Sequence, residues 1–172
     1  MAELLDVYDA KGQRTGRTRV RGEDFGPEEY HLVACAVVRN CQGKLLFSRR
    51  APEKSFAGLW EASGGAARAG EDSLTAAVRE LGEELGLSLP PESGTLLGRY
   101  ARQGNASPYF LDVWVFERDI SLAELTLQPG ETDAALLASA EEVRQLVGQG
   151  RFLPLPYMPY LEDLLRWTES PR

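Results

Sequence analysis

The chain has one histidine and two cysteines in 172 residues, and its 26 acidic residues outnumber its 19 lysines and arginines, leaving a net charge of −7. Each shortage excludes something. A lone histidine, His31, cannot build a histidine-rich metal centre, and Cys35 and Cys41 lack the paired spacing of a zinc site. The two cysteines stand six residues apart in a segment that reads as a strand and its turn. At about 3.3 Å per residue they lie too far apart to bridge easily, so both are expected as reduced thiols. The acidic balance has the wrong sign for gripping a nucleic-acid backbone, which needs a basic face. No apolar run approaches the ~18 residues of a membrane span, and the opening "MAELLDVYDAKG" is broken by charge before a signal-peptide core can form. The expectation is a cytoplasmic protein with neither a nucleic-acid polymer nor a membrane as partner. Any phosphate-bearing ligand must then be met by a local cation or a metal ion.

What is present is a steady alternation of short apolar strands and two or three helices, without repeats, long enough for one α/β domain over residues 1–172. "LLDVYDAKGQRTGRTRV" reads as an N-terminal hairpin, within residues 1–22, around Lys11 and Gly12. "YHLVACAVVRN" and "GKLLFSRR" form a second strand pair around Gly43, and "SPYFLDVWVFE" has the aromatic and β-branched density of a central strand. Leu74, Ala77, Val78, Leu81 and Leu85 then switch to a 3.6-residue period. With Asp72 as N-cap, Gly86 at the C-terminal end and Pro90-Pro91 beyond, this predicts a helix over roughly 73–85. Ser139 and Glu142 have capping-box spacing for a second helix running to about Val147, and a third is expected over Tyr160–Trp167.

Within the first helix, "RELGEELG" places Glu80, Glu83 and Glu84 within five positions near the C-terminal end, where mutual repulsion and the helix dipole both oppose them. Counted at 100° per residue, the three are expected on the face opposite the apolar stripe, their oxygens aimed at one point. A solvated acidic face is the bland account, but only Arg79 stands nearby to compensate. Three converging carboxylates suit a hard divalent cation such as Mg²⁺, which keeps waters and substrate phosphates in its other positions.

Read from Gly65, the chain runs Gly65, five residues, Glu71, seven residues, then Arg79-Glu80-Leu81-Gly82-Glu83-Glu84-Leu85-Gly86-Leu87. Residues 65–87 thus match every position of the Nudix box, a coincidence on the order of 10⁻⁹ per starting point from average residue usage. The chain resembles the Nudix hydrolase superfamily. The resemblance implies an α/β/α sandwich with a mixed β-sheet, the box forming a loop-helix-loop. It further implies a Mg²⁺- or Mn²⁺-dependent hydrolase that cleaves the diphosphate linkage of a small nucleoside diphosphate derivative. By position it implies Glu80, Glu83 and Glu84 as metal ligands, with the backbone carbonyl of Gly64 an additional one, and Glu71 and Arg79 as structural ties. The general base in this superfamily is either a box glutamate or one from a distant loop, for which Glu131 in "QPGETDA" is the candidate; the alternative for Glu131 is a solvated loop acid.

The run "YHLVACAVVRNCQGKLLFSRRAPEKSFAGLWEASGG" is also similar to the front of isopentenyl-diphosphate isomerases, a branch of the same fold. That branch carries a catalytic cysteine after the tryptophan, where this chain has Glu61-Ala62-Ser63-Gly64-Gly65, and several histidines where this chain has His31, read as a satisfied histidine at a strand start. A hydrolase is therefore the preferred reading, with an isomerase-like enzyme as the alternative. In the isomerase branch an arginine and a lysine spaced as Arg50 and Lys54 contact the substrate's diphosphate, which makes these two the expected phosphate clamp. A non-catalytic nucleotide-sensing Nudix module is a third reading, weakened by the intact box. Substrate identity and oligomeric state, a homodimer included, stay open.

Overall fold

The computed structural model describes residues 2–103 and 107–171. The N-terminal hairpin forms a two-stranded sheet of its own, β1 (Leu4–Tyr8) pairing antiparallel with β2 (Arg14–Val20). Its turn is made by Asp9, whose carboxylate accepts from the amides of Lys11 and Gln13 at 2.9 Å each, and by Gly12 at φ +76°, a conformation glycine adopts without steric cost.

The main sheet is built outward from β3 (His31–Arg39), which pairs in parallel with β8 (Tyr109–Glu117) along all nine residues. β7 (Thr95–Arg102) closes that side. On the other side β4 (Leu45–Arg50) shares with β3 the single pair Arg39–Leu45 and then diverges, pairing instead with β9 (Thr132–Ala138) and with the two-residue β5 (Trp60–Glu61). β6 (Ser63–Ala66) enters the opened space and pairs with Val33–Ala36 of β3. A Cβ on Gly64 would stand 2.3 Å from the carbonyl oxygen of Ala34, so only glycine allows β6 this close an approach.

Side chains along β3 alternate between two cores. Ala34, Ala36 and Val38 face α1 (Ser73–Leu85), packing with Ala76, Ala77, Leu81 and Leu85. Cys35 and Val37 face the other layer, where Val143 of α2 (Ala140–Gly148) and Leu161, Leu164 and Leu165 of α3 (Leu161–Glu169) are buried. The result is the expected α/β/α sandwich on a mixed sheet. α1 has the expected bounds, with the Asp72 side chain accepting from the Thr75 amide at 2.7 Å and Gly86 at φ +66° ending it. α2 starts from the Ser139–Glu142 capping box, while α3 begins one residue after and ends two residues beyond the expected span.

β7 and β9 carry no strand signal in the sequence. "TLLGRYAR" interleaves charge and glycine with its apolar residues, and "TDAALLA" is rich in alanine, a weak strand former. Both are strands because neighbouring β8 and β4 offer them a ladder, a tertiary cause that local composition does not carry.

Two stability predictions follow from this packing. Gly82 lies inside α1, yet a Cβ there would meet nothing closer than the Leu87 carbonyl at 3.9 Å, an ordinary contact. Gly82→Ala should therefore stabilise the fold by about 1 kcal/mol, read as a raised midpoint in urea unfolding. Glu29, just before β3, accepts from the Gly26 amide at 2.9 Å and pairs with Arg19 at 2.7 Å and with Arg17, which holds its pKa down at about 2 against an ordinary 4.5. A carboxyl with a depressed folded pKa contributes stability that is complete above about pH 4.5 and lost as pH falls toward 2. Glu29→Gln should thus melt below wild type at pH 7, the gap closing as the melts are moved to acid pH; a gap independent of pH would contradict this account.

Candidate active site

Helix α1 delivers its carboxylates to the edge of β6. Glu84 is itself buried and accepts a hydrogen bond from the Ser63 hydroxyl; burial, reinforced by the nearby charges of Glu61 and Glu80, pushes its pKa up to about 7 against the opposing effect of that hydrogen bond. Glu80 lies against Gly65, where a Cβ would stand 2.6 Å from its Oε1, and pairs with Arg79 at 2.7 Å. Glu83, the most exposed of the three, is held by Arg79 and Arg68 at 3.2 Å each. Arg79 is the organiser: it donates two-pronged to Glu71 at 2.8 and 2.9 Å and to the Ala66 carbonyl at 3.2 Å, so Glu71 and Arg79 tie the loop to the helix as expected.

Two expectations are corrected. The three glutamates do not lie opposite the apolar stripe; Glu84 flanks it, and is buried beneath β6 beside Leu81 and Leu85. Nor do their oxygens aim at one point: among the described residues no three histidine, cysteine, aspartate or glutamate side chains converge as a ready-made metal cluster. The physical reason is repulsion, since the carboxylates turn to donors instead of to one another, Glu80 to Arg79, Glu83 to Arg68 and Arg79, Glu84 to Ser63. What they share is a cavity of about 130 Å³, lined also by Gly64, Gly65, Gln128, Glu131 and Lys54.

Glu131 reaches this cavity through the loop after β8. The amides of Thr126 and Gln128 donate at 2.9 Å to the carbonyls of Leu85 and Glu84 at the end of α1, and Gly130 at φ +79° turns the chain into Glu131. The loop thus caps the helix and aims the carboxylate in one stroke. Lys54 pairs with Glu131 in the same cavity. Arg50 does not join it: Arg50 lines a neighbouring cavity of about 190 Å³, donating to both oxygens of Glu61 at 2.8 and 2.9 Å and to the Ser55 carbonyl at 2.6 Å. The pair expected as one clamp is divided between two cavities, with Gly64 at the border of both.

That second cavity holds residues the sequence reading missed. Glu61, whose pKa burial raises, sits beside Cys35, Tyr157 and Tyr160, and burial likewise keeps the Cys35 thiol protonated. An acid in an otherwise apolar "LWEASGG" was the available signal for Glu61, and Ser63 gave none. Neither cysteine is in a disulfide, and His31 donates from Nδ1 to the Pro108 carbonyl at 3.1 Å while burial holds its pKa down to about 4, as a satisfied neutral histidine.

With this geometry in place, comparison with known proteins is direct. The family model for the NUDIX domain matches residues 29–159. An uncharacterized Nudix hydrolase of Listeria monocytogenes is 35% identical over 168 residues, covering 96% of this chain and 97% of that protein. An isopentenyl-diphosphate Delta-isomerase of Halorhodospira halophila is 42% identical over 87 residues, 49% of each chain, which places the isomerase likeness in half of the molecule. The crystal structure of DR0079 from Deinococcus radiodurans superposes with a TM-score of 0.75 at 24% identity, covering 98% of this chain and all of that one, and so shares the fold. Fold, box and relatives agree, and the chain belongs to the Nudix hydrolase family, whose members act on phosphoric anhydride bonds.

Proposed function

We propose that the protein is a divalent-metal-dependent hydrolase that cleaves the diphosphate linkage of a small nucleoside diphosphate derivative. The observation that supports this most is the shared cavity, in which the box carboxylates, the Gly64-Gly65 backbone, Lys54 and Glu131 meet. The groups in it that can ligate a cation offer carboxylate and carbonyl oxygen, which matches Mg²⁺ or Mn²⁺, and the missing Cβ of Gly65 leaves the Glu80 carboxylate the space it occupies. Glu80, Glu83, Glu84 and the Gly64 carbonyl would hold the cation. When bound, such an ion neutralises the diphosphate and acidifies a coordinated water.

The chain's own residues supply the rest. Arg79, fixed by Glu71, orients Glu80 and Glu83, and the Ser63 hydroxyl orients Glu84. Glu131 comes from a segment separate from α1, so it can take the proton of the attacking water without giving up a metal contact; Lys54 fixes its carboxylate and adds positive charge where phosphate oxygens arrive. Arg50, neutralised by Glu61, serves the neighbouring cavity and the group beyond the diphosphate. A cytoplasmic location belongs to the same proposal; among the described residues no helix is long and apolar enough to cross a membrane.

The test is incubation with Mg²⁺ and a panel of nucleoside diphosphate derivatives, with products identified by mass. EDTA should abolish turnover. Glu84→Gln should lower kcat by about 10²-fold or more without loss of melting temperature, because it removes a buried like charge. Full activity in the variant or in EDTA would refute the metal-hydrolase reading. Isomerisation is expected to be absent: incubation with isopentenyl diphosphate in heavy water should place no deuterium in the carbon skeleton, and exchange at an enzymatic rate would favour the isomerase branch.

A further inference from the structure

The N-terminal hairpin lies outside residues 29–159, the span that the family model matches, yet it is fastened to the loop of the box at four consecutive residues. Arg68 donates to the Glu3 carboxylate at 3.0 Å, the Ala69 amide to the Leu4 carbonyl at 2.7 Å, the Gly70 amide to the Asp6 carboxylate at 2.9 Å, and Arg14 to the Glu71 carbonyl. Beneath these bonds Leu5 and Val7 bury against Phe25 and Ala66. An element held this firmly has a fixed position relative to Glu80, Glu83 and Glu84.

Its position brings two charged groups to the site. Glu3 and Arg21 line the carboxylate cavity together with Arg68, and Arg21 also lines an adjoining cavity of about 270 Å³ bounded by Phe25, His31 and Tyr109. The other cations near the carboxylates are committed: Arg79 to Glu71, Glu80 and Glu83, Arg50 to both oxygens of Glu61, Lys54 to Glu131. Arg21 and Arg68 differ. Their side chains are 55% and 46% exposed, and both lean on the one carboxylate of Glu3, at 2.7 and 3.0 Å, with Arg68 also reaching the exposed Glu83 at 3.2 Å. Ion pairs this exposed contribute little to stability and exchange partners readily, while a phosphate group offers a guanidinium the same two-pronged acceptor with more charge.

We propose that Arg21 of the hairpin, with Arg68 of the box loop, binds phosphate oxygens of the substrate, and that Glu3 is the internal carboxylate which the phosphate displaces. The hairpin is then a working wall of the active site and Arg21 a substrate-binding residue. This assignment rests on the hydrolase reading for its substrate and on the cavity geometry for its residues.

The experiment is calorimetric titration of methylenediphosphonate, a diphosphate analogue that is not hydrolysed, into wild type, Arg21→Ala, Arg21→Lys and Glu3→Gln in the presence of Mg²⁺, with a thermal melt of each. Arg21→Ala should weaken binding about tenfold or more, the loss expected for a charged hydrogen bond, and Arg21→Lys should recover part of it. Glu3→Gln should tighten binding severalfold, because it releases Arg21 from a competing anion and leaves Arg68 with Glu83 alone. A hairpin that only braces the fold predicts the same direction for both changes, together with parallel losses of melting temperature. Wild-type affinity in Arg21→Ala, weaker binding in Glu3→Gln, or no binding by wild type would overturn the proposal. Opposite shifts in a protein that hydrolyses no nucleoside diphosphate derivative would uphold Arg21 and refute the hydrolase reading. Hydrolysis by wild type with unchanged KM in Arg21→Ala would do the reverse.

Discussion

Glu80, Glu83 and Glu84 occupy the last turns of α1, where each opposes the other two and all three oppose the negative end of the helix, and the surrounding structure is arranged around that cost. Arg79 spans the cluster from within the helix and is itself held by Glu71. The amides of Thr126 and Gln128 occupy the carbonyls of Leu85 and Glu84, so the helix end is covered by donors where its dipole is least favourable to acids. Ser63 reaches Glu84, which burial would otherwise leave as an unpartnered carboxyl. Charge repulsion left uncompensated would favour fraying of this turn; compensated, it becomes a site with stored affinity for positive charge.

The sheet supplies the space. Because β3 and β4 part after one residue pair, β6 can lie beside β3 and present Gly64 and Gly65 to the carboxylates, with Glu61 and Ser63 immediately before them. Neither glycine tolerates a Cβ, one because of the Ala34 carbonyl and the other because of Glu80. The same backbone divides the carboxylate cavity from the aromatic one that contains Tyr157 and Tyr160, and substrate groups on either side of a scissile bond need such adjoining and chemically different walls.

Much of this was legible in the chain. The apolar stripe and caps of α1 located the helix to the residue, and box spacing singled out the carboxylates, since local sequence carries both. What local sequence did not carry was direction. A helical wheel sets Glu84 opposite the stripe, because it marks a face without saying how far β6 covers it, and Glu84 is buried. Arg50 and Lys54 stand four residues apart, a spacing that suggests one clamp, but the turn between them sends one to Glu61 and the other to Glu131. The hairpin partners of Arg68, Ala69, Gly70 and Glu71 lie more than fifty residues earlier in the chain, and nothing in "ELLDVYDAKGQR" announces them.

The central claim is that repulsion among the box carboxylates is resolved by a divalent cation bound in their cavity, and Mn²⁺ binding measured by electron paramagnetic resonance addresses it without reference to any substrate. Titration of the chelator-treated protein at neutral pH should show saturable binding, and Glu83→Gln/Glu84→Gln, with two of the carboxylates neutral, should weaken it at least tenfold while the protein stays folded. Equal Mn²⁺ affinity in wild type and the double variant would contradict the account.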